Sequence, residues 1–78
     1  MATTHTYTIL NKYIEGDTLV TDTEIQFSGD VNETVNVPIY HFQPQSVEEV
    51  EANIENRIVT ELDKIIARNV MEQIITEL

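Results

Sequence analysis

Polar and apolar residues alternate along the first half of the chain. Between the turn residues Gly16 and Gly29, every second position is apolar or a threonine, and the positions between are mainly polar or acidic. This period of two predicts an antiparallel strand with one side packed on a core and the other in water. The apolar side would hold Leu19, Thr21, Thr23, Ile25 and Phe27.

Two further segments have the character of strands. Tyrosine and isoleucine at even spacing predict a strand over residues 6–14, and an alternation of valine and isoleucine predicts another that begins near Val35. Pro38 cannot donate a ladder hydrogen bond, so the third strand is expected to lie at an edge of the sheet or to be bulged at that residue. Because both connections are short, the three strands are expected to form an antiparallel meander over residues 6–42.

A long helix is predicted over residues 46–78. Ser46 is a good N-cap, Glu49 follows at the spacing of a capping box, and no glycine or proline occurs afterwards. The predicted fold is therefore α+β, a three-stranded antiparallel β-meander packed on one long C-terminal α-helix in the order βββα. It would be a single domain of residues 1–78, with residues 1–5 as a frayed N-terminus. The predicted core is Tyr7, Ile9, Leu19, Ile25, Phe27, Val35, Val37, Ile54, Ile58, Leu62 and Ile65.

The apolar positions wind around this helix. One recurs every four residues from Val50 to Leu78, and each such step advances about 40° around the axis. Either the helix kinks near Asn69 and folds back, or it continues and its last turns bind another chain. A sheet about 20 Å long cannot cover a helix of about 45 Å, which favours the second possibility. The predicted interface comprises Val70, Met71, Ile74, Ile75 and Leu78.

Composition limits the possible partners. The net charge is −10, from 14 acidic and 4 basic residues, so the chain is expected to be repelled by nucleic acid and anionic membranes. A chain of 78 residues without cysteine has no disulfide to stabilise it. Self-association is therefore the expected source of additional stability. No membrane span and no signal peptide are visible, so we expect a virion or host-cytoplasm location.

Little in the sequence indicates catalysis. His41 is the only plausible general base, and by alternation it shares the apolar side of its strand, so a structural role is expected. Residues from Asp30 onward resemble the start of a calcium loop, but Val35 and His41 occupy the positions that need glycine and glutamate. We therefore predict no catalytic residue, no metal site and no cofactor. An enzyme would need a site shared between subunits.

Most of the positive charge lies on one flank of the predicted helix. Arg57, Lys64 and Arg68 share this flank with Glu61 and Glu72. Interleaved acids of this kind indicate a salt-bridged edge rather than a basic recognition stripe.

The segment from Val35 to Val50, together with Asn53-Ile-Glu-Asn-Arg-Ile58, resembles small uncharacterised proteins of tailed phages, especially marine ones. The shared elements are an extended segment that ends in His-Phe-x-Pro, a helix start and an Asn-Arg pair inside the helix. The resemblance implies a viral context, and no functional residue can be transferred from it.

Two functions follow as hypotheses. The first is a non-enzymatic assembly protein, in concrete form a phage virion accessory that binds itself and a capsid, tail or host protein. The second is an acidic inhibitor that occupies a basic nucleic-acid-binding groove of a host protein, with carboxylates where phosphates would lie. Such a mimic needs its acids concentrated on one face.

Overall fold

The computed structural model describes residues 2–78 and has the predicted βββα fold. Strand β1 spans Thr4–Glu15, β2 spans Thr18–Ser28, β3 spans Glu33–Phe42, and helix α1 spans Val47–Glu77. The strands form one antiparallel sheet in the order β1-β2-β3, so β3 with its Pro38 is an edge strand, as predicted. All of the secondary structure of residues 2–78 belongs to this one sheet and one helix.

Strand β1 begins earlier than the sequence indicated. Thr4 and His5 pair with Ser28 and Phe27 of β2, so the prediction that residues 1–5 form a frayed N-terminus is wrong for these two. The His5 ring also contacts the helix, because its Nε2 lies 2.9 Å from a carboxylate oxygen of Glu55. Residue 1 lies outside the described residues.

The two turns depend on glycine. Gly16 has φ +66 and Gly29 has φ +111, in the left-handed region that side chains disfavour. At Gly29 the space is also closed, since a Cβ would stand 2.4 Å from the carbonyl oxygen of Ala2. Asn32 completes this turn by accepting from the Gly29 amide at 3.2 Å and donating to its carbonyl at 2.8 Å.

Helix α1 starts at the predicted cap and does not bend back. The Ser46 hydroxyl accepts a hydrogen bond from the Glu49 amide at 3.1 Å. The Glu49 carboxylate accepts from the amide of Gln45, one residue earlier than in a standard capping box. The helix runs without interruption through Asn69, so the kinked alternative is wrong.

The core lies between one face of the sheet and the first half of α1. Of the predicted core, Ile25, Phe27, Ile54, Ile58 and Ile65 are buried, and Tyr7, Val35, Val37 and Leu62 pack partly buried around them. Val31 and Ile39 complete the buried cluster and were absent from the predicted set. Ile9 and Leu19 are not part of it: Ile9 is exposed, and both line an open groove at the start of the helix.

The helix packs on one face of the sheet and lies closest to β3. Its first turn is separated from Ile9 on β1 and Leu19 on β2 by an open groove. Arg68, five turns later, reaches Glu33 at the start of β3. The sheet ends at this corner, and the helix continues past it, which gives the molecule its longest dimension of 48 Å.

The opposite face of the sheet carries its own small apolar cluster. Val20 is fully buried although it points away from the helix. Its cross-strand neighbours are Tyr13 on β1 and Tyr40 on β3, which are 42% and 64% exposed. Tyrosine pairs of this kind cover an apolar residue while their hydroxyl groups stay in water.

Candidate functional site

The last thirteen residues of the chain form the most exposed apolar surface on the helix. No residue after Ile65 is buried. The five residues predicted as an interface are between half and fully exposed, with Leu78 at 99%. Ile66, at 47% exposed, lies in the same row. We call this surface the tail face; it comprises Ile66, Val70, Met71, Ile74, Ile75 and Leu78.

The tail face points away from the side of the helix that packs on the sheet. At 3.6 residues per turn, the direction of Ile58 and Ile65 is continued by Asn69, Glu72 and Thr76, which are polar. Val70, Ile74 and Leu78 lie on the other side of the axis, with Ile66 and Met71 at the margins of that side and Ile75 between the two sides. The two halves of α1 are therefore amphipathic in nearly opposite directions, as the four-residue row predicted.

One ion pair marks the end of the contact between helix and sheet. The Arg68 guanidinium donates to both carboxylate oxygens of Glu33, at 3.1 and 2.8 Å, and also pairs with Glu72 at 3.7 Å. Among the described residues, no hydrogen bond or ion pair joins residues 69–78 to the sheet. Within the part of the chain that the structure describes, the tail thus projects as a helix with no residue buried against another element.

The predicted salt-bridged flank is present and centres on one carboxylate. Glu61 is 8% exposed, and one of its oxygens lies 3.3 Å from Nε of Arg57 and 3.2 Å from Nζ of Lys64. Two cations thus neutralise a nearly buried acid one turn before the core ends. This arrangement is structural, and it leaves neither cation as part of a basic stripe.

His41 is placed as a structural residue, as its position in the alternation indicated. Its side chain is 1% exposed on the helix side of the sheet. Asn53 on α1 donates from Nδ2 to the ring Nδ1 at 3.1 Å, which leaves the ring proton on Nε2 to donate to the Thr21 hydroxyl at 3.0 Å. Thr23 in turn donates to the Thr21 carbonyl at 3.1 Å.

Burial sets the charge of this histidine. Desolvation lowers the pKa of His41 below 6.5, and the negative charge of Glu49 opposes this only in part. The ring is therefore neutral near pH 7. Since both ring nitrogens are bonded and the ring is shielded from water, His41 is not positioned to act on an external substrate.

An open groove of about 380 Å³ lies between β1, β2 and the start of α1. Its walls are mainly apolar, with Ile9 and Leu19 on the sheet and Pro44, Val47 and Val50 at the helix start. Sequence reasoning missed the groove because it assigned Ile9 and Leu19 to the core. The helix lies closest to β3, so it leaves this corner of β1 and β2 uncovered.

Residues 2–78 contain no cluster of three or more histidine, aspartate or glutamate side chains arranged to hold a metal ion. Helix α1 has no apolar stretch long enough to cross a membrane. Comparison of the chain with protein-family models, curated proteins and solved structures gives no match.

Proposed function

We propose that this chain is a non-enzymatic assembly protein that binds other protein chains, in the first place a second copy of itself, through the tail face. The resemblance of residues 35–58 to small proteins of tailed phages suggests a setting for this role. In that setting the protein is a virion accessory that also contacts a capsid, tail or host protein.

The observation that carries the proposal is the reversal of the apolar side along α1. The first half of the helix completes the core of its own domain, and the second half extends beyond the sheet with apolar side chains facing water. A contiguous exposed apolar patch on a small protein is typical of an interaction surface. A helix of this kind binds most readily in a groove or against another helix.

The charge distribution suits self-association through this segment. Twelve of the fourteen acidic residues precede residue 66, and the tail itself carries only Glu72, Glu77 and Arg68. Two tails can therefore approach each other with little repulsion, although the whole protein has a net charge of −10. The charged remainder of each domain would stay in solvent.

The acidic-inhibitor alternative has less support. The acids do not gather on one face: Asp22 and Glu24 lie on the outer side of the sheet, whereas Glu48 and Glu51 lie on the helix. Several others are already engaged within the chain, among them Glu61 with its two cations. A mimic of a phosphate backbone needs a continuous acidic surface.

Sedimentation equilibrium over about 1 μM to about 1 mM tests the proposal in the range where weak self-association is measurable. We expect the average mass of the native protein to rise with concentration and Ile74→Asp to reduce that rise. Thr76→Asp is the matched control, because it adds the same charge two residues away on the polar side of the same helix. A native mass that stays monomeric throughout, or an equal effect of the two variants, would contradict the proposal.

A further inference from the structure

Strand β1 leaves one long backbone edge without a neighbouring strand. The sheet order places β1 and β3 at the two edges. Pro38 interrupts the donor pattern of β3, whereas β1 is 12 residues long and contains no proline. Only Tyr7 of β1 is even partly buried. The charged residues of β1 are limited to Lys12 and Glu15, and residues on both sides of its one bulge stay paired with β2. Most of this edge is therefore available as a template for pairing with another chain.

Charge favours a second copy of the same strand as the partner. β1 carries one lysine, one glutamate and one histidine in a protein whose net charge is −10. Two β1 strands can therefore align without the repulsion that would oppose contact elsewhere on the surface. The only hydrogen bond between a side chain and the β1 backbone among the described residues joins Asn11 Oδ1 to the Lys12 amide, at 2.9 Å.

A bulge in β1 determines which side chains share a face. The pairing with β2 slips between Ile9 and Asn11, so Leu10 is the extra residue, and it lies on the outer face beside Asp22 and Pro38. The residues on the helix side are His5, Tyr7, Ile9, Lys12 and Ile14. Those on the outer side are Thr4, Thr6, Thr8, Asn11, Tyr13 and Glu15.

We propose that β1 pairs antiparallel with β1 of a second copy, in the register that places Thr6 opposite Glu15 of that copy, and so joins two sheets into one of six strands. This is the longest antiparallel self-pairing in which every opposed pair lies on the same face. Neighbouring registers place helix-side residues opposite outer residues at one or more positions, which a sheet with one packed face disfavours.

The opposed pairs are chemically compatible. Ile14 is 77% exposed on the helix side of the sheet, where the helix does not reach it, and in this register it lies opposite Tyr7 of the second copy. On the outer face, Tyr13 lies opposite Thr8. No two like charges face each other, and pairs of an aromatic with a branched residue stabilise antiparallel strands.

This interface goes beyond the tail face and is separate from it. The helix leaves the sheet at Glu33, on the β3 side, whereas the pairing edge belongs to β1. A chain with two self-associating surfaces can form assemblies larger than a dimer. The two surfaces can therefore be tested independently.

Disulfide cross-linking tests the edge pairing directly, because the native sequence contains no cysteine. Thr6→Cys protein is mixed with Glu15→Cys protein and oxidised, and disulfide-linked heterodimers are counted by mass spectrometry. The control mixture is Thr6→Cys with Asn11→Cys, which lies on the same face but four residues out of register, about 13 Å away. We expect at least about tenfold more heterodimer from the matched mixture. Equal yields, or no cross-link at all, would overturn the inference.

Repeating the matched mixture with Ile74→Asp in both proteins separates the two surfaces. The cross-link should persist, because the tail face is not part of the edge. Its loss would show that the strands do not pair independently, and the inference would fail. A third outcome is that the cross-link persists while Ile74→Asp, introduced into the protein without added cysteines, leaves its average mass unchanged in sedimentation. That pair of results would support the edge pairing and contradict self-association through the tail face.

Discussion

Asn53 on the helix donates a hydrogen bond to His41 on strand β3, with 3.1 Å between Nδ2 and Nδ1. Through this bond the buried ring joins α1 to the sheet, since its other nitrogen bonds Thr21 on β2. Within residues 2–78, no buried side-chain polar atom lacks a hydrogen-bond partner, so the buried polar groups around His41 are all hydrogen-bonded. Protonation of Nδ1 would remove the acceptor that Asn53 requires.

The stability of the protein should therefore fall in mild acid. The folded state holds the pKa of His41 below 6.5, whereas the unfolded chain binds a proton near its ordinary value. Below about pH 6.5 the unfolded state binds more protons, so the free energy of unfolding decreases as pH falls, by up to about 1.4 kcal/mol per pH unit. Urea unfolding between pH 5 and 7.5 should show that the free energy of unfolding depends less steeply on pH in His41→Gln than in the native protein. Identical pH dependence in the two proteins would contradict this role of His41.

The two halves of the helix should respond differently to the same substitution. Ile54 is fully buried, so Ile54→Ala should lower the free energy of unfolding by about 2–5 kcal/mol. Ile75 is 70% exposed, so Ile75→Ala should change the stability of the monomer by less than about 0.5 kcal/mol. Urea unfolding at low protein concentration measures both. A large loss for Ile75→Ala under these conditions would mean that the tail packs within its own chain.

Glu61 should matter more to stability than other acids in ion pairs. It is nearly buried between Arg57 and Lys64, so Glu61→Ala leaves two cations without their shared partner. We expect a loss of about 1–2 kcal/mol in thermal or urea unfolding at low salt. Glu33→Ala removes the exposed pair with Arg68 and should cost clearly less. The opposite ranking would contradict the structural role given to Glu61.

The turn at Gly29 should tolerate a side chain less well than the turn at Gly16. Both residues have positive φ, but only at Gly29 would a Cβ meet backbone, the carbonyl oxygen of Ala2 at 2.4 Å. Gly16→Ala should cost about 1 kcal/mol from the backbone conformation alone, and Gly29→Ala should cost more. Equal losses of unfolding free energy would show that residues 2–3 do not pack against the turn.

The fold could be predicted because each element has a local cause. The period-two pattern of β2, the glycine turns and the Ser46 cap each specify their own segment without reference to the others. The Gly16 and Gly29 turns also make a meander the economical topology. The continuity of α1 through Asn69 agrees with the absence of glycine and proline after Ser46.

The remaining errors arise where tertiary geometry decides. The position of the helix, closest to β3, leaves Ile9 and Leu19 outside the core, and the pattern of either strand gives no sign of that position. Val31 follows a turn, where periodicity says nothing about burial. The early start of β1 depends on Ser28 and Phe27 as partners, and the five N-terminal residues have no strand pattern of their own. Of the site, the sequence predicted the direction of the tail face and missed the β1 edge, whose bulge at Leu10 interrupts the alternation.

The proposed function requires that residues 66–78 bind another chain. A helix of thirteen residues without a packing partner is marginally stable in water, so the tail of a monomer should exchange its amide hydrogens rapidly. Amide hydrogen exchange measured at about 1 μM and about 1 mM protein, the range of weak to moderate association, tests this directly. The interface assignment predicts that protection of residues 66–78 rises with concentration while that of residues 47–65 stays constant. Equal protection of the tail at both concentrations would contradict it.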